Sequence, residues 1–280
     1  MAQEDQAGSP PGRQPGPLPG REEPAQGPAP EQEPARESVA DIAAGVCRLA
    51  RAARQGSLAT LDRGAPFVSL ITPAFSWAGD LVILVSGLSR HGRHLRADPR
   101  CSVLLEADAS GANPQTAPRV TLTGRAVADS SDAALRDRWV RIHPYGALYA
   151  GFADFTLWRV EVERLHWVGG FGRVRELSGD VLRPELAEAA AEPALLAEVN
   201  RRHAAGLPGG SMAGGDSVVA LDPDGLDLGP APTGDPNGDA RTRRIHFTAR
   251  ASSREALLEA VAAVLPPTLP DTIAWPTSPP

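Results

Sequence analysis

SLATLDRGAPFVSLITPAFSWAGDLVILVSG, residues Ser57 to Gly87, decides the fold. Three β-branched and apolar runs, SLATLD, FVSLITPAFSW and LVILVSG, are separated only by the short turn signals DRGAP and AGD. Such spacing predicts meander strands joined by tight turns. Downstream, SRHGRHLRADPR reads as a short connecting helix capped by Ser89 and ended at Asp98-Pro99, since the residue before proline is pushed out of helical geometry. CSVLLEA, a Gly/Asn/Pro loop from Ser110 to Pro118, and the alternating RVTLTGRAVA follow. SDAALRDRWVRIH predicts a helix opened by Ser130 or Ser131. The long run FTLWRVEVERLHWVGGFG alternates, with Leu157, Val160, Val162, Leu165 and Trp167 as inward positions. Upstream, Ser38 with Asp41 forms a capping-box pattern, and Val39, Ile42, Val46, Leu49 and Ala53 recur at helical spacing until Gly56. About six strands with few helices predict a mainly β architecture with helices (α+β), an antiparallel barrel.

Past Arg173 the composition turns to alanine and glutamate, and PELAEAAAEPALLAEVNRRHAAGL reads as helix interrupted near Pro193. SVVALDPDGLDL is a hairpin pattern with a Pro-Asp-Gly turn, TRRIHFTA a strand and SSREALLEAVAAVL a capped closing helix. The expected organisation is a Pro/Glu-rich tail (1–37), a barrel domain (38–176), a small α+β domain (184–266) and a Pro-rich tail (267–280).

The net charge is −6, and all 28 basic residues are arginine. Residues 1–37 hold seven acids against three arginines, with nine prolines, a composition that cannot offset its ordering entropy. It has neither the basic start nor the apolar core of a signal peptide. The acidic balance argues against nucleic acid as a partner, and no apolar run reaches the roughly 20 residues of a membrane span. Cys47 and Cys101 lie in apolar-patterned segments and are expected as buried thiols in a reducing, cytoplasmic setting.

Two readings of the basic segment stand side by side. Ser89, Arg90 and His91 open a helix whose first backbone N–H groups, with the side chains, suit a phosphate or carboxylate. Alternatively, the arginines are a solvated face. In VGGFGRV, the glycines allow close approach to a flat ligand, Phe171 can stack on it and Arg173 can pair with its anion, or the segment is simply a glycine-rich strand end. Asp222, Asp224 and Asp227 lack the ligand series of a calcium loop and read as a turn. His91 and His94 have metal-compatible spacing but arginine neighbours, and His143 reads as a helix-ending residue.

The ordered series ATLDRGAPFVSLITPAF, SRHGRHLRADPRCSVLLEA, RVTLTGRA, HPYGALYAGFADF and VGGFGRV resembles the flavin-binding split β-barrel superfamily of pyridoxamine 5′-phosphate oxidase. More narrowly, it is similar to the HugZ-type haem-utilisation branch. Asn200, His203, DPDGLDL and RRIHF resemble the small C-terminal domain that accompanies that branch. The resemblance implies a homodimer with the cofactor at the subunit interface, FMN or alternatively haem. Ser89, Arg90 and His91 fall on the Ser-Arg-Lys element that grips the FMN phosphate, with His91 in place of lysine. Arg173 is a counterpart of the arginine beside the iron-bound water. The family's C-terminal ligating histidine is absent from PPTLPDTIAWPTSPP, which leaves His246 or His203 as iron ligands. An FMN-binding redox protein is therefore expected first. A haem binder or haem-degrading oxidoreductase is the alternative, as is a non-catalytic regulator.

Overall fold

The computed structural model describes residues 38–109, 111–129, 131–170, 173–186, 191–203, 216–230 and 241–265. In order these form α1 (Val39–Ala52), β1 (Gly56–Asp62), β2 (Ala65–Ile71), β3 (Ala74–Phe75), β4 (Leu81–Ser86), α2 (Arg90–Ala97), β5 (Arg100–Glu106), β6 (Arg119–Ala128), α3 (Ala133–Ile142), β7 (Phe155–Val168), β8 (Val174–Ser178), α4 (Glu192–His203), β9 (Ser217–Asp222), β10 (Gly225–Gly229), β11 (Arg243–His246) and α5 (Arg254–Val264). The first eight strands make one curled antiparallel sheet in the order β2-β1-β5-β6-β7-β4-β3, with β8 paired to β7. β11-β10-β9 form a separate sheet. This is the expected split barrel followed by a small α+β element. Among the described residues no helix is long and apolar enough to cross a membrane.

Local chemistry explains the path. Arg63 and Gly64, both at positive φ, close the two-residue β1–β2 hairpin, as the strand twist requires. The capping box at Ser38 and Asp41 is present. FVSLITPAFSW is not one strand: the chain leaves β2 at Ile71 and resumes as β3 after Pro73, which has no N–H for a ladder. α3 is capped by Asp132, not by Ser130 or Ser131; its carboxylate accepts from the Leu135 amide. Pro193 lies in the first turn of α4, where a missing N–H is harmless.

β7 serves both faces of its sheet. Val160, Val162, Leu165 and Trp167 face the barrel interior with Leu58, Leu81 and Val103. Leu157 is buried too, but on the opposite face against Leu135 and Trp139 of α3. Alternation survives from Val162 to Leu165 because the register slips between Thr123 and Gly124, leaving an extra residue in β7. Cys47 and Cys101 are buried free thiols.

The second sheet, with α4 and α5, has its own apolar cluster around Val199, Leu226 and Leu257. It meets the barrel through ions as well. Asp222, wholly buried, faces Arg51 of α1 at 3.1 Å, Arg138 of α3 at 3.0 Å and Arg244 of β11 at 2.5 Å. Asp224 takes Arg51 at 2.7 Å and Arg250 at 2.7 Å, while Asp227 takes Arg244 at 2.9 Å and also Arg54. The three acids of the hairpin are thus the anionic centre of an arginine network.

Candidate functional site

The basic segment folds as expected: Ser89 caps α2 by accepting from the Gly92 amide. Its side chains are already engaged. Arg90 stacks over the Phe67 ring at 4.3 Å and pairs with Asp62 at 3.0 Å, a hydrogen bond that holds the Asp62 carboxyl below its usual pKa. Arg93 donates to Leu88 O at 2.6 Å and Arg96 to Gly87 O at 3.3 Å. His91 is held below its usual pKa by burial and then by His94. His94 itself is buried beside Thr60, 3.0 Å from its hydroxyl. In this arrangement the segment ties α2 to β1, β2 and its own loop, and no cluster of metal-type ligands occurs among the described residues.

A second constellation lies elsewhere. A crevice of about 380 Å³ opens between α1 and the end of β7. Ile42, Arg48 and Leu49 of α1, Trp167 of β7, Arg173 and His246 of β11 line it. Arg173 folds back so that Nη2 donates to Gly169 O, and Gly170 takes φ +125, a conformation suited to glycine. His246 is pushed down to about 4, by burial first and Arg244 second, so its ring is neutral at ordinary pH. Its Nδ1 is buried with no hydrogen-bond partner among the described residues, an omission that costs about 1–3 kcal/mol. Asp41, the acid on the crevice wall, is committed to the capping box: Oδ2 accepts from Ser38 N at 3.2 Å and Ser38 Oγ at 2.7 Å. A neutral imidazole, two guanidinia and an indole wall therefore face one space. That donor set fits a flat apolar ligand bearing a metal and carboxylates.

Two further cavities differ in character. One, of about 260 Å³ beside Trp77 and Arg138, has its arginines paired with Asp132 and Glu192. The other, of about 360 Å³, is an outer sheet face lined by Arg100, Arg125 and Arg164.

The structure thus brings Ser89, Arg90 and His91 together at α2, and Arg173 with His246 at the crevice. His203 is buried at the end of α4 and does not line it. Phe171 lies outside the described residues. Sequence reasoning missed Arg48 and the placement of Trp167. Asp41, Gly45, Arg48 and Ala52 share one face of α1 by spacing, a signal that a face exists but not what it meets. Asn200 has a structural part: its amide donates to Val218 O at 2.9 Å and accepts from Val218 N at 2.8 Å, extending the β9 edge.

Comparison with known proteins agrees with the fold. The family model described as CREG, beta-barrel matches residues 34–181. The chain is 31% identical over 143 residues to the non-canonical haem oxygenase HOZ, chloroplastic, of Arabidopsis thaliana, covering 49% of this chain and 43% of that protein. It therefore spans less than half the length of the plant relative. It is 31% identical over 134 residues to the haem oxygenase HutZ of Vibrio cholerae, covering 45% of this chain and 74% of that one. Among solved structures, the Agrobacterium tumefaciens protein Atu2129, of unknown function, superposes with a TM-score of 0.60 at 27% identity, over 79% of this chain and 94% of the other.

Proposed function

The chain belongs to the CREG β-barrel family, and on that footing we propose that it is a haem-binding split-barrel protein whose haem lies in the crevice between α1 and β7. One observation carries the reading: Arg173 and His246, far apart in sequence, converge with Trp167 on one cavity. His246 would ligate iron through a ring kept neutral by burial, Trp167 would lie along the macrocycle and Arg173 would meet a carboxylate. When bound, haem supplies the redox chemistry; the chain binds and orients it. Haem stands ahead of FMN because both named relatives are haem proteins and because Arg90 is already held by Asp62 and Phe67.

The test is a haem titration of the purified full chain by absorption, alongside FMN. Saturable haem binding is expected, with a band that His246→Ala shifts and weakens, and no saturable FMN binding. Failure of haem to saturate, or an unchanged spectrum in His246→Ala, overturns the assignment. The names of both relatives favour haem breakdown as the second reading, checked by loss of the haem band under a reductant and oxygen.

The assembly proposed is a homodimer. Val68 and Leu70 stand 61% and 70% exposed on edge strand β2, an apolar patch that a second copy would cover. Light scattering on wild type and Leu70→Arg checks this: a dimer in the first and a monomer in the second are expected.

A further inference from the structure

Arg48 has no structural partner among the described residues. It projects from the exposed side of α1 and makes no ion pair or hydrogen bond among the described residues, unlike Arg51 one turn on and Arg54 just past the helix, which are locked to the hairpin acids. Yet it is not directed into open solvent alone: it lines the crevice, near enough to His246 to help hold that ring's proton affinity down. The acid within its reach, Asp41, already receives two hydrogen bonds from Ser38. Arg48 is thus a cation at the crevice with no ion pair among the described residues. A guanidinium offers parallel donors matched to a carboxylate, and beside an apolar wall of Ile42, Leu49 and Trp167 that carboxylate belongs to an amphipathic, flat molecule.

We infer that Arg48 is the specificity residue of the crevice: it reads a carboxylate on the ligand's rim, so the site takes a carboxylated aromatic macrocycle and discriminates against its ester. This rests on the porphyrin reading of the crevice, but it does not depend on iron ligation. The experiment therefore uses iron-free protoporphyrin IX and its dimethyl ester, titrated by fluorescence into the full chain as wild type, Arg48→Gln and Arg48→Lys. In wild type the free acid binds more tightly than the ester. Arg48→Gln weakens the acid about fivefold, the scale of one exposed ion pair, and leaves the ester unchanged. Arg48→Lys, keeping the charge without the fork, falls between them. All three proteins melt at the same temperature. Equal losses for acid and ester, no loss for either, or no binding of protoporphyrin at all overturns the inference. The His246→Ala spectrum with haem, by contrast, reports on iron ligation alone, so the two claims fail separately.

Discussion

Arg138 of α3 and Asp222 at the end of β9 meet at 3.0 Å with both side chains withdrawn from water. The contact joins the two sheets, and Arg138 also donates to Leu221 O at 2.9 Å and Phe75 O at 2.8 Å, so one guanidinium touches backbone of both. Burial presses the Asp222 carboxyl upward, but Arg244, Arg51 and Arg138 outweigh it and hold the group ionised far below the usual carboxylate range. Removing one partner of such a network leaves uncompensated buried charge. Asp222→Asn is expected to destabilise the fold by about 3–5 kcal/mol in urea unfolding. Asp224→Asn is expected to cost less, because its partner Arg51 keeps Asp222 and its other partner Arg250 is partly exposed.

The second prediction concerns acid. His143 ends α3 buried, its Nε2 2.9 Å from Pro73 O and its Nδ1 3.3 Å from the Tyr145 hydroxyl. A neutral ring satisfies both: Nε2–H donates and Nδ1 accepts. Burial lowers its pKa to about 4 from an ordinary 6.5. The unfolded chain therefore binds a proton that the folded chain refuses, and stability falls as pH drops from about 6.5 to about 4, by about 3 kcal/mol in all. His246 adds to the same window, less strongly because it is partly exposed. Urea unfolding of wild type and His143→Gln between pH 4 and 7 checks this. The variant should take up about one proton fewer on unfolding; parallel curves would contradict it.

The third concerns the bulge that keeps β7 in phase. A Cβ at Gly124 would lie 2.0 Å from Glu161 O, a backbone atom that cannot swing aside. Gly124→Ala must therefore spread β6 from β7 or remove the slip that turns Leu165 and Trp167 inward. A loss of about 2 kcal/mol or more is expected, a core-strain magnitude, and a porphyrin should bind less tightly because Trp167 walls the crevice.

How far these features were legible follows from what sequence patterns encode. Ser38, Ser89 and the Asp-Arg-Gly turn could be read because caps and turns depend on neighbours a few residues away. The set on β7 was read correctly as buried, but Leu157, three residues before Val160, has the opposite strand parity and so faces a different cluster, which grouping it with Val160 and Val162 overlooked. The arginine network was invisible: in a chain whose only basic side chain is arginine, nothing local separates Arg51 in the interior from Arg48 at the crevice. The same holds for His246, whose partners at the crevice lie on α1 and β7.

The last prediction settles the part played by the Ser89–Arg90–His91 element. If Arg90 is a strut, it works through Phe67 and Asp62, and both contacts sit at the surface, where a cation–π stack and an ion pair are each worth about 0.5–1 kcal/mol. Arg90→Ala should lower the stability of the ligand-free protein by about 1 kcal/mol and leave haem affinity unchanged. If instead Arg90 grips a phosphate, the ligand-free melting temperature should hold while FMN binding weakens by about 1.5–3 kcal/mol, the range for a hydrogen bond to a charged group. His91 separates the two cases again. A bound phosphate would raise its pKa, against the lowering that burial produces. Nuclear magnetic resonance titration of the His91 ring with and without FMN should show one curve, below 6.5, in both; an upward displacement with FMN would return the flavin to this site.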